Sequence, residues 1–243
     1  MALFSYSLNK GKLYLIPNVI ADGTQRSVIA PQVYQVLPTV AHFLVEDLRN
    51  ARRFLSSLKT YDSIEHLSFQ VLDKDTKKED LASLFGPILQ GLNIGIISEA
   101  GSPGVADPGA LAVKFAHENG IQVVPLVGPS SLLLALMASG LNGQRFTFHG
   151  YLPIDAKEGS VAIRNLERES RERSQTQIFI ETPYRNNNLK RMLLNNLRNE
   201  TLLSIAVDIT GERENISTLT IREWKTREVD IPKLPAVFMI LAS

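Results

Sequence analysis

Four acidic residues of this chain stand just after apolar runs. Glu46 and Asp47 follow Ala41 to Val45, Glu99 follows Ile94 to Ile97, and Glu181 follows Gln177 to Ile180. A carboxylate at the end of a buried strand can project from the sheet edge and take a proton from a hydroxyl within hydrogen-bond reach. Glu99, Asp47 and Glu181 are therefore the catalytic candidates, although Asp47 is equally placed to cap the helix continuing through Leu48-Arg49-Asn50. Cations trail the same motifs: Arg49, Arg52 and Arg53 follow Asp47, and Arg185 follows Glu181 with Tyr184 beside it. Guanidinium groups suit phosphate oxygens and a tyrosine ring suits stacking, so Arg49, Arg53, Tyr184 and Arg185 are the substrate-binding candidates. Arg164, Arg168 and Arg171 also share a helical face, but Glu167, Glu169 and Glu172 alternate with them in the manner of a solvated surface helix.

These residues need a frame that brings strand ends together. Leu13 to Ile16, Ala41 to Val45, Ile94 to Ile97 and Val123 to Val127 read as buried strands. Asp47 to Leu58, Glu79 to Leu89, Asp107 to Asn119 and Ser131 to Ser139 read as helices between or after them. This is the βα alternation of a parallel sheet covered on both faces. Gly140-Leu141-Asn142-Gly143-Gln144 closes a helix and marks a boundary, giving expected domains 1–141 and 142–243. The second unit has expected strands at Phe146 to His149, Gln177 to Ile180, Leu202 to Val207, Asn215 to Leu219 and Ala236 to Leu241, with helices at Lys157 to Ser170 and Arg185 to Leu197. The fold class is thus α/β, with two α/β domains, each a largely parallel or mixed sheet flanked by helices, and a ligand cleft between them.

Two strand-to-helix turns in the first unit are built of small residues. Ser98-Glu99-Ala100-Gly101-Ser102-Pro103-Gly104-Val105-Ala106 leads to Asp107-Pro108, read as an N-cap and a first-turn proline. Gly128-Pro129-Ser130 leads to Ser131, with Ser130 as the natural cap. Bare backbone at the carboxyl ends of parallel strands is where open α/β sheets bind small molecules. Neither turn matches the dinucleotide or phosphate-loop patterns. The first loop is longer than a βα connection needs, which leaves room for a ligand.

Composition narrows the chemistry. The chain has no cysteine, which removes thiolate nucleophiles, disulfides and cysteine metal sites, and its four histidines have no ligand spacing. No metal is called for. A net charge of +1 provides no global field for nucleic acid, so an RNA substrate would need a local basic patch. Met1-Ala2-Leu3-Phe4 begins no signal-like segment and no apolar run reaches membrane-spanning length, so a cytoplasmic protein without membrane association is expected.

Six segments together carry a resemblance. Ser98-Glu99-Ala100-Gly101-Ser102-Pro103, Ala106-Asp107-Pro108-Gly109 and Pro125-Leu126-Val127-Gly128-Pro129-Ser130-Ser131 resemble the S-D-A-G-T-P, S-D-P-G and P-x-x-G-P-S-A motifs of the tetrapyrrole methylase superfamily. Val45-Glu46-Asp47-Leu48-Arg49 is similar to its A-E-D-T-R, Gly150-Tyr151-Leu152-Pro153 to G-F-L-P, and Glu181-Thr182-Pro183-Tyr184-Arg185 to E-S-P-H-R. The nearest branch is that of the small-subunit ribosomal RNA (cytidine-2′-O)-methyltransferases, which modify a decoding-site cytidine.

The resemblance implies S-adenosylmethionine as cofactor and a homodimer. It places cofactor contacts at Ile20, Glu99, Gly101, Ser102, Val105, Ser130, Ser131, Ile180, Ala206 and Ala236, the last together with Pro235. The leading expectation is 2′-O-methylation of a ribose of small-subunit ribosomal RNA. The alternatives are a methyltransferase acting on a small-molecule or tetrapyrrole-like acceptor, and a non-catalytic S-adenosylmethionine-binding regulator. Three departures bear on that choice. Glu99 stands where the family has aspartate. The first loop reads Ile16-Pro17-Asn18-Val19-Ile20-Ala21-Asp22-Gly23 in place of A-T-P-I-G-N. The sequence ends at Ser243, directly after the last strand, where the ribosomal RNA enzymes commonly continue into a helical extension.

Overall fold

The computed structural model describes residues 10–227 and 229–243. The N-terminal stretch read for a leader lies outside the described residues. The chain divides into two compact units between Ser130 and Ser131.

The first unit runs β1 (Leu13–Ile16), α1 (Gln25–Val28), α2 (Pro31–Val36), β2 (Val40–Val45), α3 (Leu48–Leu58), β3 (Ser68–Val71), α4 (Leu81–Leu84), α5 (Gly86–Leu89), β4 (Asn93–Ile97), α6 (Gly109–Glu118) and β5 (Val123–Pro125). Its strands form one sheet in the order β3-β2-β4-β1-β5. Every pairing in it is parallel. The central strands are buried on both faces because a separate core covers each: Ile16, Phe43 and Val45 pack with Phe54 and Leu55 of α3, while Leu13, Leu44, Ile94 and Ile96 pack with Ala112 and Ala116 of α6. Continuous apolar runs such as Ile94 to Ile97 follow from that two-sided burial.

The strand order also fixes where a ligand can enter. From β1 the chain passes over β4 to reach β2, whereas from β4 it passes over β1 to reach β5. The loops leaving adjacent β1 and β4 therefore diverge, which opens a crevice at their carboxyl ends.

The second unit runs α7 (Ser131–Ser139), β6 (Phe146–Tyr151), α8 (Ala156–Arg173), β7 (Thr176–Glu181), α9 (Asn186–Asn196), β8 (Leu202–Val207), β9 (Asn215–Thr220), α10 (Ile221–Lys225) and β10 (Ala236–Leu241). Its mixed sheet has the order β6-β7-β10-β8-β9, with β6 parallel to β7 and the other pairs antiparallel. Helix α7 covers one face through Ala135 and Leu136 against Ala206, Val237 and Met239. Helices α8, α9 and α10 cover the other through Ile163, Leu193 and Trp224 against Phe179, Ile205 and Phe238.

Several expectations shift for identifiable reasons. Because α7 belongs to the core of the second sheet, the division precedes it and does not fall at 141/142. The helix expected over Glu79 to Leu89 is broken into a 3-10 turn, α4 and α5. Pro87, on the first turn of α5, lacks the N–H and the space to continue α4. Glu167 is buried, where it accepts hydrogen bonds from Arg198 N and Thr201 Oγ1, so it is not part of a solvated charge stripe. Helix α6 begins at Gly109, and Asp107 reaches its amide from outside the helix.

Gly128 shows how closely the turn after β5 packs on the loop after β1: a Cβ there would lie 2.1 Å from Pro17 Cβ and 2.4 Å from its Cγ. The proline ring cannot retreat without moving the loop after β1. Gly128→Ala should therefore destabilise the fold by about 2 kcal/mol or more in urea unfolding. Gly143→Ala, with nothing within 4 Å of the added carbon, should stay within about 0.5 kcal/mol of the unmodified chain. Equal midpoints for the two variants would show that the Pro17 contact is not a constraint.

Candidate active site

The loops after β1 and β4 are joined by Asn18. Its backbone N–H donates to Gly101 O at 2.8 Å, and its Nδ2 donates to Ser98 O at 3.0 Å and Glu99 O at 3.1 Å. Its Oδ1 accepts from Val19 N at 2.8 Å. The side chain is buried and its amide is satisfied at both ends, as an amide held out of water must be. Sequence reasoning passed over this residue. A lone asparagine in the apolar stretch Ile16 to Ile20 was the available signal.

Beyond Asn18 lies a cleft of about 350 Å³ bordered by Ile20, Asp22, Asn50, Arg53 and Glu99. Glu99 Oε2 accepts from Asn50 Nδ2 at 2.7 Å, so the longer acid in the family's aspartate position is tied to α3. Asp47 caps that helix, its Oδ1 accepting from Asn50 N at 2.7 Å. Arg53 faces Asp22 of the altered first loop at 3.8 Å, both exposed. Arg49 is exposed on the first turn of α3.

The loop from Ser98 to Asp107 presents backbone. Gly101 and Gly104 have φ of +68° and +84°, and Ala106 adopts +61°, a left-handed turn that alanine takes only at a cost. Asp107 holds this shape, its Oδ1 accepting from Gly104 N at 2.6 Å and Gly109 N at 2.8 Å. Ser102 Oγ donates to Pro129 O at 3.2 Å, linking the two small-residue turns. Val105 is exposed.

Four carboxylates, Glu46, Asp73, Glu99 and Asp107, lie on or near this loop. Burial pushes the Glu46 carboxyl above the ordinary range, and the charges of Asp107, Glu99 and Asp73 push it further, against the pull of a hydrogen bond from the Glu99 backbone amide. Burial likewise raises Asp107, opposed by the amides of Gly104 and Gly109. Its Oδ2 is buried without a hydrogen-bond partner. Among the described residues, no group of three or more His, Cys, Asp or Glu is placed to hold a metal ion.

In the second unit the remaining candidates sit at the ends of β7, β8 and β10. Ile180 and Ala206 pair with the same residue, Val237, and share the α7 face of the sheet. Ala236 packs its side chain into the core on the opposite face, so only its backbone can act alongside them. Glu181 is buried and engaged: Oε2 lies 3.0 Å from Arg185 and Oε1 accepts from Thr182 N at 2.7 Å. These contacts make Glu181 a brace for the following turn rather than a free base, and they draw Arg185 inward. Tyr184 projects into solvent.

This arrangement, two helix-flanked α/β sheets with an open backbone loop at a strand-order reversal, defines an enzyme class. A model of the tetrapyrrole (corrin/porphyrin) methylases matches residues 26–225, and the chain belongs to that family. It is 31% identical over 221 residues to the ribosomal RNA small subunit methyltransferase I of Vibrio cholerae serotype O1, covering 88% of this chain and 70% of the relative. To the protein of the same name from Escherichia coli O157:H7 it is 34% identical over 180 residues, covering 73% of this chain and 58% of the relative. The solved uroporphyrin-III C-methyl transferase from Thermus thermophilus complexed with S-adenyl homocysteine shares the fold, with a TM-score of 0.55 at 17% identity, over 95% of this chain and 97% of its own.

The carboxylate cluster has a pH signature. An acid whose native pKa lies above its unfolded value binds more protons when folded, so its contribution to stability is greatest in acid and falls as pH rises through the shifted titration. The stability of the native chain relative to Glu46→Gln should therefore decline between about pH 4 and pH 7, in urea titrations across that range. A constant difference would mean that neither burial nor the neighbouring carboxylates raise Glu46.

Proposed function

We propose that the chain is an S-adenosylmethionine-dependent methyltransferase that acts on a ribose 2′-hydroxyl of small-subunit ribosomal RNA. The observation that carries the cofactor reading is the loop Ser98 to Asp107, held open by Asn18 and Asp107 with three left-handed residues and few bulky side chains. Such a loop lets a ligand meet the backbone closely. The names of the relatives support the acceptor.

When bound, S-adenosylmethionine supplies an electrophilic methyl group on a sulfonium, so the protein's task is alignment and exclusion of water. Gly101, Ser102, Val105, Ser130 and Ser131 would hold the cofactor through backbone and hydroxyl groups. In the first unit Ile20 would give it apolar contact; for Ile180, Ala206 and the Ala236 backbone of the second unit the same role is what the family resemblance implies. Asp47 serves as a cap and Glu181 as a brace, which leaves Glu99 to accept the ribose proton. Its tie to Asn50 fixes one oxygen at the cleft and leaves the other to face a hydroxyl. Arg49 and Arg53 form the phosphate-facing rim on α3.

A homodimer in the cytoplasm belongs to the same reading, by family resemblance and because soluble assemblies are most often twofold. Among the described residues no helix is long and apolar enough to cross a membrane.

Incubation with radiolabelled S-adenosylmethionine and fractionated cell extract should place label in small ribosomal subunits, without added metal. Label confined to a metabolite fraction would move the acceptor to a small molecule, and binding without transfer to any fraction would indicate a regulator. Ser102→Trp should abolish calorimetric binding of the cofactor while circular dichroism stays unchanged. Replacing Arg49 and Arg53 together by alanine should weaken RNA affinity and flatten its salt dependence, because fewer counterions are released, with cofactor affinity unaltered. An unchanged salt slope would assign both arginines to structure.

A further inference from the structure

We infer that Tyr184 and Lys233 form a clamp for one unpaired nucleobase of RNA and its adjoining phosphate. The inference rests on the proposed RNA acceptor. Tyr184 is 82% exposed, the most exposed large apolar side chain among the described residues. The Nζ of Lys233, on the loop before β10, lies 5.6 Å from the centre of its ring. An isolated exposed tyrosine needs no explanation. The backbone segments that carry this one and its cation are each fastened by hydrogen bonds.

On the β7 side, Tyr184 is the middle residue of the 3-10 turn Pro183–Arg185. That turn is closed by Arg185 N donating to Thr182 O at 2.9 Å and anchored from below by the Glu181–Arg185 ion pair. On the β10 side, two asparagines of α9 fasten the loop that carries Lys233. Asn187 exchanges hydrogen bonds with the Ile231 backbone, Nδ2 to O at 3.0 Å and N to Oδ1 at 2.8 Å. Asn186 Nδ2 donates to Leu234 O at 2.8 Å. Both supports use buried or half-buried polar groups, while the ring and the ammonium they hold remain outside. Ordering the two groups before a ligand arrives removes entropy that binding would otherwise have to overcome.

An exposed ring with a cation over one face offers its other face to a base and the cation to the adjoining phosphate. Aromatic stacking captures the base without regard to its identity, and the cation tracks the backbone. The neighbouring strand adds a second ring at the same edge: β6 runs parallel to β7, Tyr151 pairs with Ile180, and Tyr151 is 61% exposed. Successive bases of a single strand need such platforms. A duplex keeps its bases stacked inside and offers only phosphates, which would use Lys233 and leave the rings idle.

Fluorescence anisotropy of the full chain with a short labelled single-stranded RNA, and with the matching duplex, tests the clamp. Single strands should bind more tightly than duplex. Tyr184→Ala should weaken single-strand binding about tenfold, as loss of one stacked base does, while Tyr184→Phe retains it. Lys233→Ala should reduce the salt slope by roughly 0.7, the value for one phosphate contact on a single strand. Calorimetric affinity for S-adenosylmethionine should not change in any of the three variants. Equal RNA binding by Tyr184→Ala, no preference for single strands, or no RNA binding by the native chain would each overturn the clamp. Transfer of labelled methyl to small ribosomal subunits separates the two readings. Label that appears with the same KM in Tyr184→Ala leaves the acceptor reading standing and removes the clamp. Single-strand binding that depends on Tyr184 without label in RNA does the reverse.

Discussion

The first unit depends on one buried amide. Adjacent strands β1 and β4 send their loops toward opposite faces of the sheet, so nothing in the strand order holds those loops together once they leave it. Asn18 supplies the tie, spending its N–H, Nδ2 and Oδ1 on the backbone of Ser98, Glu99, Gly101 and Val19. Each hydrogen bond contributes only about 1 kcal/mol net, but leaving the buried partners unsatisfied would cost more than that apiece. The tie is therefore one-sided: it adds modest stability when made and exacts a large penalty when broken. Pro17, against which Gly128 has no room for a side chain, sets the loop after β1 close to the loop after β5 by exclusion rather than attraction.

The Asn18 tie explains why acidic groups collect here. A loop with three left-handed residues exposes its amides, and amides turned inward need acceptors. Asp107 meets the amides of Gly104 and Gly109, and Glu46 meets that of Glu99. Carboxylates are the strongest acceptors available, and packing several of them in a half-buried space raises the pKa of those least solvated. The perturbed titration of Glu46 and Asp107 is thus a consequence of how the loop is held. Glu99 reaches outward to Asn50 instead and stays exposed, which separates the group available for chemistry from the groups that shape the loop.

Much of this was legible in the sequence, because the central strands are buried on both faces and so read as unbroken apolar runs. The small-residue loops were legible as well, since only backbone-rich segments can turn so sharply beside parallel strand ends. What was not legible depends on contacts between distant segments. The roles of Asn18 and Lys233 come from loops brought together by sheet order: the asparagine stands out locally only as a polar residue in an apolar stretch, and no local pattern announces the lysine. Glu167 looked solvated because its neighbours are charged, yet Thr201 and the Arg198 amide, more than thirty residues away, bury it. The edge strand β3 went unseen because its exposed residues carry no apolar run. The family resemblance named Ile180 and Ala206, which local chemistry assigns to the core and which pack on the α7 face of the sheet, and it also included Ala236, whose side chain turns to the other face.

The second unit distributes charge differently from what its motif suggests. In Glu181-Thr182-Pro183-Tyr184-Arg185 the arginine is the obvious partner for a phosphate, but its guanidinium is committed to a buried carboxylate that also receives the Thr182 amide. Freeing it would strand Glu181 as an unpaired buried charge, a change that costs several kcal/mol and that a surface contact with RNA would not offset. The pairing therefore fixes the turn and withdraws its cation, while the ring between them is pushed out. The positive charge near that ring has to come from elsewhere, and the α9 asparagines deliver it by fastening the β10 loop so that Lys233 lies over Tyr184. A motif read along the chain places ring and cation side by side, whereas the folded edge takes them from two strands, and only the second arrangement leaves both free for a ligand.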